Sequence, residues 1–119
     1  MGCSGGEGWG LPEFQSVALG KHAVIMNAHS YKSWADEINS VLVNPNGKMD
    51  AHDGMFFIKG QAYNQGNIFD FNEDEFIAGC EAAINRYEIN PINEAGLLLQ
   101  KRFTYKKTAD KILKSLQEI

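Results

Sequence analysis

Glu7-Gly8-Trp9-Gly10-Leu11-Pro12-Glu13-Phe14, followed by Ala18-Leu19-Gly20-Lys21, is the stretch from which the rest of the chain is best read. Gly8 and Gly10 let the backbone come close to a ligand and take conformations closed to residues with a side chain. Pro12 suits the first turn of a helix, where its missing N–H costs nothing, and Gly20 suits a C-terminal cap. The stretch predicts a glycine-flanked loop running into a helix from Leu11 or Pro12 to about Leu19. The free N–H groups of that first turn favour an anion. A carboxylate such as Glu7 beside them would repel the anion unless it serves a neutral, hydroxyl-rich part of the same ligand. A nucleotide diphosphate sugar has both parts.

Outward from this loop, Ala23-Val24-Ile25-Met26 is a short continuous apolar run, as in a buried parallel strand. Asn27 to Ser30 then form the loop at its carboxyl end, the edge where open α/β sheets bind ligands. Tyr31 to Ala35 are expected as one helical turn. Val41-Leu42-Val43 is the next strand, closed by the turn Asn44-Pro45-Asn46-Gly47. From Lys48 to Phe71 there is no helical or strand period, and Gly54, Gly60 and Gly66 punctuate the stretch. Its aromatics (Phe56, Phe57, Tyr63, Phe69, Phe71) make it an ordered loop packed on the domain. Asn72-x-x-Glu75 resembles a capping box. Phe76, Ile77, Cys80, Ala83, Ile84 and Tyr87 recur at helical spacing to about Glu88, and Pro91 breaks that helix. A further helix is expected over Asn93 to Phe103. Thr104 caps the last one, with Tyr105, Ala109, Ile112, Leu113 and Leu116 on its apolar side.

The 119 residues set one domain as the limit, residues 1–119. With 44% apolar and 22% charged residues the composition is that of a globular protein. A net charge of -4 disfavours nucleic acid as a partner. The charge is uneven, however: Lys101, Arg102, Lys106, Lys107, Lys111 and Lys114 face only Asp110 and Glu118 from residue 101 onward. This is a solvated helix face, or a contact for a partner or an anionic membrane. Cys3 and Cys80 are too few and too far apart for a disulfide framework or a zinc site, and read as reduced thiols of a cytoplasmic protein. No secretory leader or membrane span is recognisable.

Three ordered blocks carry a family resemblance. Ser4-x-x-Glu7-Gly8-Trp9-Gly10-Leu11-Pro12, with a helix ending Ala18-Leu19-Gly20, resembles the donor-site motif of group 1 retaining glycosyltransferases of the GT-B fold. Asn39-Ser40-Val41-Leu42-Val43-Asn44-Pro45 is similar to their N-G-L-L-V-x-P strand and turn, and Phe103-Thr104-Tyr105-Lys106-Lys107-Thr108-Ala109 to their closing F-S-W-x-x-T-A helix. The resemblance implies an α/β chain: an incomplete Rossmann-like domain with a short parallel sheet and C-terminal helices. In that family the motif lies far along the second of two domains. The chain is therefore expected to be a truncated C-terminal part without the acceptor domain, with a bare sheet edge and an uncovered apolar stripe including some of Tyr105, Ile112 and Leu116.

By the same resemblance the donor-binding residues are Glu7, Gly8, Trp9, Gly10, Leu11 and Gln15. Glu7 accepts hydrogen bonds from donor-sugar hydroxyls, and the backbone N–H groups of Gly10 and Leu11 face the diphosphate. The side chain of Leu11 belongs to the core, and Trp9 either stacks on the ligand or packs. Gln15 stands where the family has a second glutamate for the ribose, so the charge-assisted part of that contact is lost. Glu13 cannot replace it: two residues along a helix turn by about 200°. An acidic residue in the first turn also offsets the helix dipole. His29 and Ser30 replace a glycine pair, and His29 is read as incidental and His22 as structural. Asp50, His52 and Asp53 superficially resemble a metal site, but no metal, cofactor or catalytic side chain is expected. The chain would bind a nucleotide diphosphate sugar weakly and transfer nothing alone. The alternatives are a non-catalytic sugar-nucleotide or phosphate-binding module, or a subunit joining a separately encoded N-terminal half. Weak membrane-surface contact and self-association stay open.

Overall fold

The structure, a computed structural model, describes residues 1–51, 55, 60, 62 and 66–118. It is mixed α/β, with a short parallel sheet, an antiparallel strand pair and helices that fill the C-terminal part. Helix α1 spans Leu11–Ala18. It ends as the sequence predicts. Gly20 takes φ +87°, and the N–H groups of Leu19, Gly20 and Lys21 turn back onto the carbonyls of Gln15, Val17 and Ser16.

Strand β1 (Val24–Met26) is buried throughout and pairs in parallel with β2 (Val41–Val43), Val24 opposite Val41 and Met26 opposite Val43. Gly2 bridges Ile25 in parallel, donating to the Val24 carbonyl (2.7 Å) and accepting from the Met26 N–H (2.8 Å). Alternate residues of a strand bond to opposite sides, so Gly2 and β2 flank β1. Parallel neighbours need a crossover, and α1 supplies it. Residues 3–10, Asn27 and Asn44 therefore lie at one end of the sheet, where the Asn27 amide donates to Asn44 Oδ1 (3.1 Å). A 3₁₀ turn over His29–Ser33 follows β1, two residues earlier than expected.

Helix α2 (Glu73–Ile89) covers the sheet with Phe76 and Gly79. A β-carbon at Gly79 would stand 2.9 Å from Val43 and 3.0 Å from Val24, so the missing side chain lets helix and sheet meet. Asn72 caps α2 by accepting from the Glu75 N–H (3.2 Å). The single helix expected over Asn93 to Phe103 is two short ones, α3 (Glu94–Leu97) and α4 (Leu99–Arg102), separated at Leu98. Helix α5 (Tyr105–Gln117) begins at Thr104, whose Oγ1 accepts from the Lys107 N–H (3.2 Å). Tyr105, Ile112 and Leu116 are 98%, 57% and 62% exposed, so the apolar stripe expected to be uncovered is uncovered.

The stretch expected to be loop without strands holds two of them. β3 (Gly47–Asp50) and β4 (Asn67–Asp70) pair antiparallel, and the Phe69 N–H continues outward to the Gly5 carbonyl (3.0 Å). Lys48-Met49-Asp50 alternates over only three residues and Asn67-Ile68-Phe69-Asp70 does not alternate, and the partners are separated by residues 51–66, so no strong local signal marks the pairing. Phe69 and Phe71 pack on the core as expected, while Phe56, Phe57 and Tyr63 lie outside the described residues.

The main core joins Val17, Ile25, Met26, Tyr31, Trp34 and Leu99. Asn93 binds the C-terminal helices to it. Its amide donates to the carbonyls of Lys21 (3.0 Å) and Asn39 (2.6 Å), its Oδ1 accepts from the Gly96 N–H (3.1 Å), and its own N–H reaches the Gly20 carbonyl (2.8 Å). Asn93→Ala leaves two buried backbone groups, the Asn39 carbonyl and the Gly96 N–H, and the part-buried Lys21 carbonyl without this side chain. It should destabilise the protein by about 3 kcal/mol, read as a lower midpoint in urea at unchanged slope. A loss below about 1 kcal/mol would show that water replaces the amide.

Candidate functional site

The glycine loop turns into α1 at Gly10, which takes φ +76° and ψ 54°, and no side chain caps the helix. A β-carbon at Gly10 would overlap the Tyr31 ring, so both conformation and space demand glycine here. The first N–H groups of α1 have no partners within the helix, and they lie at the carboxyl end of the parallel segments. Glu7 and Gly8 are exposed. The loop thus offers an exposed carboxylate and a helix start to one approaching ligand.

Trp9 packs. Its ring meets Phe14 (5.5 Å) and Phe103 (5.2 Å) edge-on, and its carbonyl accepts from the Trp34 indole N–H (3.0 Å). Phe14 in turn meets Trp34 (5.5 Å), making an aromatic wall beneath the loop that the sequence reading did not assemble. Leu11, expected in the core, is 57% exposed. It sits in the first turn of α1, whereas the helix meets its neighbours further along, where the Ala18 carbonyl accepts from Gln100 (2.6 Å) and Val17 lies against Gly96. Gln15, four residues after Leu11, shares its exposed side. Glu13 turns inward as the helical angle requires and is half-buried, with a carboxylate oxygen 3.4 Å from where a Gly10 β-carbon would stand.

His29, read as incidental, ties the loop down. Nε2 donates to the Ser4 carbonyl (2.9 Å), Nδ1 accepts from the Ser30 hydroxyl (3.3 Å), and the ring lies 4.5 Å from Tyr31 and 6.0 Å from Phe69. It does so at φ 40°, a left-handed conformation uncommon outside glycine. Nothing local in the sequence marks this, because the partner lies 25 residues away. His22 is structural as expected, its Nε2 hydrogen-bonded to the Asn90 carbonyl (2.7 Å). Cys3 and Cys80 are free thiols. Of Asp50, His52 and Asp53, the two latter fall outside the described residues; among the described ones no three metal-binding side chains converge. A shallow cleft of about 310 Å³ borders Pro12, Glu13, Ser16, Lys21 and His22 and is not lined by Glu7.

Tyr31 was expected only as part of a helical turn. It is fully buried, and its hydroxyl lies near the Ser4 backbone and the Glu13 carboxylate without a well-aligned hydrogen bond to either. Burial first, then the charges of Glu13 and Glu7, push its phenol up to about 12 from 10, against a smaller opposite pull from the Ser4 backbone. The three segments that converge on this ring, residues 2–10, α1 and the turn after β1, are the ones that shape the loop.

Compared with known proteins, the chain matches no family model, no curated protein and no solved structure.

A phenol whose pKa is raised on folding leaves stability independent of its titration below pH 10, and costs the folded state stability as pH rises from 10 through 12, where the unfolded chain ionises first. Tyr31→Phe should therefore flatten the alkaline fall in stability by up to about 3 kcal/mol. At pH 7 it should be neutral or stabilising, because it removes an unpaired buried hydroxyl. Urea denaturation of both proteins at neutral pH and across the alkaline range reads both effects. An unchanged alkaline slope would contradict the assignment.

Proposed function

We propose that the chain is a Rossmann-like donor-binding domain of a retaining glycosyltransferase, working in the cytoplasm, and that Glu7 to Leu11 hold a nucleotide diphosphate sugar. What carries this is the left-handed Gly10 opening α1 at the carboxyl end of the parallel segments, beside the exposed carboxylate of Glu7. The first-turn N–H groups take the diphosphate, and Glu7 takes sugar hydroxyls as a double acceptor. Gln15, on the exposed side of α1, meets the ribose diol. Transfer would rest on stabilising charge on the departing nucleotide diphosphate, with the acceptor held by a separate domain or a separately encoded half. A non-catalytic sugar-nucleotide-binding module would make the same contacts, since binding requires only the loop and α1.

Glu7→Ala should weaken binding of a nucleotide sugar at least tenfold while leaving the bare nucleoside diphosphate within twofold, as expected for about 1.4 kcal/mol of charge-assisted hydrogen bonding. Calorimetric titration with matched pairs, UDP-, GDP- and ADP-sugars against UDP, GDP and ADP, checks this. Equal losses for both members of a pair would count against Glu7 as the sugar contact.

Restoring a carboxylate at position 15 supplies the complementary test. Gln15→Glu should tighten the nucleoside diphosphate by about 1 kcal/mol, seen in the same titrations. If affinity is unchanged or lower, Gln15 does not meet the ribose.

A further inference from the structure

We infer that α5 is an interfacial helix that lays its apolar stripe on an anionic lipid surface. Tyr105, Ala109, Ile112 and Leu116 follow one another at spacings of four, three and four residues and form a single stripe, with Leu113 beside it. No residue of α5 is buried, and Tyr105, Ile112 and Leu116 are exposed: among the described residues nothing covers the stripe. Lys107, Lys111 and Lys114 occupy the far side of the helix, and Lys106, near the stripe, pairs with Asp110 (2.9 Å). A basic polar face and an apolar face on a helix of low overall hydrophobicity is the pattern of a helix that lies in a membrane interface rather than crossing it. Among the described residues no helix is long and apolar enough to cross.

Charge selects the lipid surface over a second copy of the chain. Residues 101–118 carry six basic and two acidic side chains, net +4, whereas residues 1–100 and 119 carry five basic and thirteen acidic, net -8. An acidic patch on a second copy would meet the apolar stripe with its lysines turned away. An anionic surface extends beyond the helix on both sides and attracts all of them. The far lysines stand about one helix diameter, 10–12 Å, from the surface, close to the screening length of about 10 Å at 0.1 M salt. They are felt at low salt and silenced at high salt. The acidic remainder is repelled by the same surface, so the helix must stand off from it.

The full chain should co-float with vesicles of phosphatidylcholine and phosphatidylglycerol (about 2:1) at low salt. It should not float with phosphatidylcholine alone, and binding should fall at least tenfold at about 0.5 M salt. Lys107→Gln with Lys111→Gln and Lys114→Gln should weaken binding several-fold, less than the roughly fivefold per lysine of a cation at the surface itself, because these lysines stand about one screening length away. Ile112→Ser with Leu116→Ser should abolish flotation even at low salt. All five positions are exposed, and circular dichroism of each variant confirms the fold. Equal binding to both vesicle types, unchanged binding by either variant, or a salt-sensitive dimer that ignores vesicles would overturn the inference.

Discussion

The seating of the C-terminal helices α3 and α4 against the parallel sheet depends on one amide. Asn93 is the only described side chain that bonds at once to the segment entering β1, the segment entering β2 and the first turn of α3. The carbonyls of Lys21 and Asn39 lie where short strands begin, at points the ladder does not reach. Buried and unpaired, each would cost more than a single hydrogen bond is worth. By satisfying both, Asn93 fixes where α3 and α4 sit, and hence where Leu99 and Gln100 meet α1. The sheet is too small to position those helices by packing alone, so a polar tie does it.

The glycine loop is held differently, by closure around an aromatic ring. Tyr31 fills the space that side chains at Gly2 and Gly10 would occupy. His29 pins Ser4 from one side, β4 pins Gly5 from another, and Trp34 holds the Trp9 carbonyl. Held at these three points, the loop exposes Glu7 and Gly8 on backbone anchored before and after them. The cost is concentrated in an unpaired phenol and a left-handed histidine, both within this one arrangement.

Capping chemistry made much of this legible in advance. Asn72 and Thr104 each bond a backbone N–H three residues on, so their roles are written locally, and Gly20 ends α1 for an equally local reason; Asn93 caps α3 in the same way, but its bonds to Lys21 and Asn39 are not local. The run Val24–Met26 and its partner Val41–Val43 are unbroken apolar segments that only a doubly covered sheet accommodates. What escaped reading is non-local. β3 and β4 find each other across residues 51–66, with an alternation of only three residues, Lys48 to Asp50, to mark one of them. Leu11 looks like core by type, but where α1 begins relative to its neighbours is decided by α3 and α4, more than 80 residues away. Within the site, the sequence placed the glycines and Glu7 on the loop but not the aromatic wall below them. Phe14, Trp34 and Phe103 come together only through the fold, and the break at Leu98 falls two residues after Gly96, inside an otherwise helical run of leucines. No comparison bears on the ligand, which leaves the donor reading resting on the loop's own chemistry.

Both tryptophans of the chain, Trp9 and Trp34, stand in that wall. Trp34 is shielded from water and Trp9 only half so. The intrinsic emission of the molecule therefore originates within a few ångströms of the glycine loop, a shielded indole contributing the bluer part and a rim indole the redder. Unfolding would merge the two, whereas a molecule settling on the loop would disturb Trp9 and leave Trp34 nearly unchanged. The packing that supports the loop has made it the one part of the protein that reports optically on its own surroundings without a label.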